Sequence, residues 1–172
     1  MTTHYYQHKA CLRHEPGIHH PESPDRLRSI SAKLDVTDFE NLHCFESPKI
    51  KLETIAMMHD PKYIDSVLKS IPERGSIQLD ADTILSSGSG EAILRAAGGV
   101  CAAIDDVLKH DASNAFCGMR PPGHHAEFSQ SMGFCIFNNI AIGARYAQRF
   151  HGIDKVAVID FDVHHGNGTQ HM

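Results

Sequence analysis

Two short stretches of this 172-residue sequence concentrate the side chains that move protons and hold metal ions. The first reads Arg120-Pro-Pro-Gly-His124-His125 and the second Asp160-Phe-Asp162-Val-His164-His165-Gly-Asn167-Gly168. In an extended chain alternate side chains share a face, so Asp160, Asp162 and His164 fall on one side and Phe161 and Val163 on the other. A carboxylate and an imidazole two residues apart can then reach one ion. Oxygen and nitrogen donors without a thiolate suit a catalytic zinc or iron centre, where three protein ligands leave a position open. The motif supplies two ligands, Asp162 and His164, and no upstream residue is an obvious third. Two prolines of fixed φ followed by a glycine make a stiff mount for His124 and His125. One imidazole can take a proton from water attacking a carbonyl and return it to the leaving amine, while the other holds charge and orients water.

These residues need strand ends to carry them. Residues 114–119 form a short apolar run of strand type, and residues 155–162 read as a buried strand from their β-branched content. Each motif follows one such run, where ligand sites of open α/β sheets lie. Between and before them the pattern is helical. Ser23 caps a helix over roughly 24–34 with Pro24 at its first position, and Asp60-Pro61 opens another that ends near Ile71-Pro72. Residues 53–58 fit strand or helix. A long amphipathic helix spans about 91–110, with Gly98-Gly99 packed closely against a neighbour. A last helix buries Phe137, Ile140, Ala141, Ala144 and Ala147 after a turn at Gly133. Residues 1–22 read as an irregular arm and 73–90 as a long surface loop. Strands alternating with helices predict one α/β domain, a parallel sheet covered by helices on both faces. The sheet is expected to be incomplete at the C-terminus, because the chain stops where the next crossover helix should begin.

Composition narrows the function. A formal charge of -5 argues against phosphate-gripping nucleic-acid surfaces, and no run of about 18 apolar residues predicts a membrane span. With no apolar secretory segment at its start, the chain reads as cytoplasmic, or nuclear in a eukaryotic source. Cys11, Cys44, Cys101, Cys117 and Cys135 form no Cys-x-x-Cys pair and read as reduced, mostly buried thiols. Gly166-Asn-Gly168 lacks the third glycine of a dinucleotide fingerprint.

With these motifs the sequence resembles the arginase/deacetylase superfamily and, within it, the histone deacetylases, nearest the class II branch and its bacterial relatives. The resemblance runs through His20-Pro21-x-x-Pro24-x-Arg26, His59-Asp60-Pro61-x-Tyr63, Asp80-x-Asp82-Thr83, the two histidine motifs, and Met132-Gly133-Phe134-Cys135-x-Phe137-Asn138-Asn139. It implies a three-layer arginase/deacetylase-like fold and a zinc-dependent amidohydrolase acting on acetylated lysine, acetylated polyamine or another small acetylated amine. Asp162 and His164 would be zinc ligands. His125 would be the general base and acid, with His124 its electrostatic partner. Asp160 would accept a hydrogen bond from His124, and Asn167 would stand beside His125. Gly133 and Phe134 would line an acyl-lysine tunnel, with Asp82 at its rim and Arg26 near its inner end. A potassium ion would sit by the backbone of Asp160, Asp162 and His164. The family carries a further aspartate ligand and a carbonyl-polarising tyrosine downstream of Asp-x-Asp-x-His. Residues 1–172 are therefore expected to be the N-terminal part of one deacetylase domain, weak in zinc binding and inactive without the rest. Arginase-like enzymes use Asp-x-His-x-Asp, and Gly166 at the last position here favours a single metal. The alternative is a catalytically silent acyl-lysine-binding or partner-docking module.

Overall fold

A computed structural model describes residues 1–34 and 39–172. The centre of its sheet is β1 (Thr3–Gln7), flanked in parallel by β2 (Leu42–Glu46) and by β5 (Asn114–Cys117). The first residues are thus the middle strand rather than an irregular arm. Their signal was the aromatic pair Tyr5-Tyr6, which is enriched in strands and buried here on opposite faces. On one face the hydroxyl of Tyr6 donates to Asp106, and His4 Nδ1 lies 2.6 Å from the same carboxylate. On the other, Gln7 accepts from Ser31. Asp106 belongs to α4 (Ser89–Leu108) and Ser31 to α1 (Asp25–Leu34), so the alternation of β1 places a helix on each side of the sheet. The fold is α/β, as the element pattern predicts.

The helix caps follow their sequence signals. Ser23 Oγ accepts from the Asp25 N–H at 3.2 Å ahead of α1. Asp60 accepts from the Lys62 N–H at 2.8 Å ahead of α3 (Pro61–Lys69), satisfying a donor that has no partner within the helix. The ambiguous segment at 53–58 is helical, as α2 (Leu52–Ile55) and a following turn. Ile64 and Val67 of α3 join Ile55, Leu85, Ile93, Ile136, Phe137 and Ile142 in the main core. Each such side chain contributes roughly 1.5–3 kcal/mol by leaving water. In α4 a Cβ at Gly98 would overlap the Pro48 carbonyl, and one at Gly99 would press on Ser47, which accounts for the glycine pair.

Three further expectations fail. Residues 73–90 are not a featureless loop, because β3 (Ser76–Gln78) and β4 (Ile84–Ser86) pair as an antiparallel hairpin. Asp80 holds its turn by accepting from the N–H groups of Asp82 and Thr83. In α5 (Asn139–His151) the buried residues are Ala141, Ile142, Gly143 and Ala147, while Ile140 is exposed and Phe137 precedes the helix. Gly143 moves the contact face because its missing side chain admits Val100 and Ile104 of α4. Finally, residues 155–162 form neither a strand nor a buried segment. Ile159 is 88% and Phe161 95% exposed. Ladder hydrogen bonds require a neighbouring strand, and an apolar cleft of about 760 Å³ separates this segment from β5.

Candidate active site

The chain leaves β5 through Gly118, whose N–H donates to the Tyr6 carbonyl at 2.9 Å. It then reaches Arg120, whose side chain is fully buried. The guanidinium donates to Glu22 Oε1 at 2.5 Å, to Glu22 Oε2, and to the Cys11 carbonyl at 2.6 Å. A buried charge persists only with such pairing. Farther on, Asn139 donates to the Pro121 carbonyl, Ala126 N–H to Gly123, and Thr169 N–H to the His124 carbonyl. The mount of the two histidines is therefore held along its length.

The two motifs meet. His124 Nδ1 lies 2.8 Å from Asp160 Oδ2, and His125 Nδ1 lies 2.6 Å from Asn167 Oδ1. A carboxylate only accepts, so His124 carries its hydrogen on Nδ1. The His124 hydrogen bond, aided by the Asp162 N–H, holds the Asp160 carboxyl below the usual carboxylate range. The imidazoles of His124 and His125 lie with centroids 4.1 Å apart and planes tilted by 45°, and the His164 ring meets that of His125 edge-on at 5.9 Å. Asn167 is the first residue of α6 (Asn167–His171), which sets its side chain against His125.

Asp162 and His164 converge on one point, with Nδ1 of His164 3.1 Å from Oδ2 of Asp162. Two ligands about 2.0 Å from a tetrahedral zinc stand roughly 3.3 Å apart, so this pair fits two corners of such a site. The His164 N–H also lowers the Asp162 pKa. Among the described residues no group of three or more His, Cys, Asp or Glu is arranged to hold a metal ion. The pair alone is half a coordination shell.

Met132 and Cys135 exchange backbone hydrogen bonds across Gly133 and Phe134, both at positive φ. That is the hairpin turn in which two successive residues adopt left-handed conformations. It packs Gly133 directly under the His125 ring, where any Cβ would overlap the imidazole. Asp82 accepts from the Gly133 N–H at 3.2 Å, and the Phe134 ring meets that of His20 at 4.8 Å. Gly133, Phe134 and Asp82 thus form one rim beside the histidines. Arg26 stands apart on α1, half-exposed, with its guanidinium 3.7 Å from Glu22. The large apolar cleft is lined by none of these residues.

Several residues around the site were given no role by the sequence. Glu127 accepts from Asn167 Nδ2 at 2.6 Å and lies 2.9 Å from His171 Nδ1. Asn138 caps α5 by accepting from the Ala141 N–H, and it donates to Thr169. The fully buried His59 accepts from the Asn138 N–H at 2.9 Å, and desolvation lowers its pKa to about 4. Asn138 had a signal in its place just before a helix, whereas Glu127 had none. Cys135 is buried, its thiol pushed up to about 12 by desolvation, which makes it inert rather than a redox handle.

Comparison with known proteins agrees with this arrangement. A family model for the histone deacetylase domain matches residues 20–172. The "Type-2 histone deacetylase 2" of Dictyostelium discoideum is 35% identical over 96% of this chain and 12% of its own length. The "Histone deacetylase-like amidohydrolase" of Pseudomonas aeruginosa is 36% identical over 98% of this chain and 49% of its own length. The crystal structure of the HDA15 HD domain superposes with a TM-score of 0.90 at 34% identity, covering 99% of this chain and 50% of that one. This chain spans about half the length of the latter two. With the family model matched over most of its residues, and a relative more than one-third identical along nearly all of it, the chain belongs to the histone deacetylase family.

Proposed function

We propose that the protein containing this chain is a zinc-dependent deacetylase that removes acetyl or related acyl groups from lysine side chains or small acetylated amines. The observation that carries the reading is the meeting of His124 with Asp160 and of His125 with Asn167 beside Asp162 and His164. The named relatives, a histone deacetylase and an amidohydrolase, support the same reaction class. Asp162 and His164 would supply two zinc ligands. The third, and a carbonyl-polarising tyrosine, would come from the part of the relatives' length that this chain does not span, so residues 1–172 by themselves would turn over little. A bound zinc would supply Lewis-acid polarisation of the amide carbonyl and of the attacking water. A potassium ion by Asp160, Asp162 and His164 belongs to the same reading.

His125 is the proton carrier in this scheme. Its Nδ1 is taken by Asn167, which leaves Nε2 to accept the proton of water as the new C–O bond forms. The same proton then passes to the amine nitrogen as the C–N bond breaks. His124, anchored by Asp160, stabilises the developing negative charge. Gly133 and Phe134 would hold the acyl-lysine stem and Asp82 the substrate backbone at the rim.

The test is turnover of an acetyl-lysine peptide by the intact protein before and after chelation, with zinc restored. Turnover that chelation abolishes and zinc returns, and that His125→Ala removes, is expected. Peptide binding without turnover in the zinc-loaded intact protein would instead support the silent-module reading.

A further inference from the structure

Three acceptors crowd the amide nitrogen of Asn167: Glu127 Oε1 at 2.6 Å, the His125 carbonyl at 3.4 Å and the Met132 sulfur at 3.5 Å. Rotating the amide by half a turn would press its oxygen against the Glu127 carboxylate, two acceptors with no hydrogen between them. The oxygen is therefore forced toward His125, whose Nδ1 lies 2.6 Å away. An oxygen can only accept there, so Nδ1 must carry the hydrogen, and in the neutral ring it is Nε2 that is bare. Glu127 is itself fixed. Its N–H donates to the Gln130 carbonyl at 2.9 Å, and His171 Nδ1 lies 2.9 and 3.0 Å from its two carboxylate oxygens. Asn167 and His171 stand one helical turn apart on α6, so both reach the same carboxylate.

We propose that Glu127 is a positioning residue which, through the amide of Asn167, sets the tautomer of His125. A neutral amide cannot dictate that tautomer alone, because either of its ends can face the ring. A neighbouring aspartate would need no such help, since both of its oxygens accept. The carboxylate of Glu127 supplies the missing polarity from one residue farther out. The proposal rests on the reading of His125 as proton carrier only for its consequence in turnover, not for the tautomer itself.

The test uses intact protein with 15N-labelled histidine, its ring nitrogens observed by long-range 15N–1H correlation at about pH 8, where imidazole is neutral. Wild type is expected to carry the His125 hydrogen on Nδ1. Glu127→Gln can present either its oxygen or its amino end to Asn167 and should therefore hold a mixture of the two tautomers. Glu127→Lys replaces acceptor with donor, should turn the amide over, and should move the hydrogen to Nε2. In the Lys variant kcat is expected to fall on the order of 10- to 100-fold with KM little changed, and Glu127→Gln should fall between it and wild type. Glu127→Arg makes the same measurement where Glu127→Lys does not fold. Retention of the Nδ1 hydrogen in the folded Lys or Arg variant overturns the proposal, as does a Gln variant that loses as much turnover as the Lys variant. A wild type with no turnover would refute the deacetylase reading, while the tautomer comparison would still decide the role of Glu127.

Discussion

Replacing Arg120 by methionine keeps most of the side-chain volume and removes the charge. Glu22, whose side chain is only 5% exposed, would then keep His14 Nε2 at 3.5 Å and the half-exposed Arg26 at 3.7 Å as its remaining neighbours. The Cys11 carbonyl would lose its Arg120 donor. Breaking a buried pair from one side typically costs about 3–5 kcal/mol, more than the net worth of the pair, because the partner is left charged in a poor solvent. That range is the expected loss for Arg120→Met. The structure adds a refinement. Burial, reinforced by the nearby Arg120 charge, lowers the His14 pKa to about 4 against the pull of Glu22. Without Arg120 that imidazole should titrate higher and protonate to pair with Glu22, so the penalty should shrink as pH falls from about 7.5 to 6. A double variant, Arg120→Met with Glu22→Leu, removes both charges and should recover most of the stability. Urea unfolding of the intact protein, followed by circular dichroism, measures all three. An Arg120→Met variant within about 1 kcal/mol of wild type, or a double variant no better than the single, would refute the account of this cluster.

Other outcomes are equally definite. His14 and His59 each have a pKa lowered by burial from 6.5 to about 4, so the unfolded chain binds their protons first. Their contribution is intact above the unfolded value and lost as pH falls through that interval, up to about 3 kcal/mol for each. A urea midpoint unchanged between about pH 7 and pH 4.5 would contradict this. Gly133→Ala sets a Cβ into the His125 ring at a backbone φ of +55°, and should lower turnover of an acetyl-lysine peptide at least about tenfold without unfolding the protein. Wild-type turnover in that variant would remove Gly133 from the site. Burial pushes the thiols of Cys101 and Cys135 up to about 12, while Cys44 is exposed. Iodoacetamide on native protein, mapped by mass spectrometry, should therefore label Cys44 first, and equal labelling of Cys135 would show that its pocket opens.

The legible parts of this molecule were local. Caps at Ser23 and Asp60, the glycine pair in α4 and the turn at Gly133 each announce themselves within a few residues, and the structure uses each as its chemistry dictates. That the two motifs share one site was expected because both follow strand-like runs, and the hydrogen bond between His124 and Asp160 was implied by the family resemblance. What stayed hidden was set at long range. The burial of β1 depends on Asp106 and Ser31, about a hundred and two dozen residues away. Glu127 acquires its role only when α6 folds back over it. The run at 155–162 has the right residues for a strand, yet a strand is a relation between two segments, and among the described residues no neighbour supplies the ladder.

That exposed run has a consequence for handling residues 1–172 by themselves. Val156, Ala157, Val158 and Ile159 form a stretch of high β propensity without charge or proline, the type of segment that seeds cross-β association. Asp160 and Asp162 interrupt it at once, as gatekeepers do. The two carboxylates offered for chemistry are then also what keeps the segment dispersed. Neutralising them to probe metal binding would remove a solubility brake with the same stroke, so aggregation of folded Asp160→Asn or Asp162→Asn, seen by light scattering with an unchanged circular dichroism spectrum, would be a colloidal effect separate from the loss of a ligand.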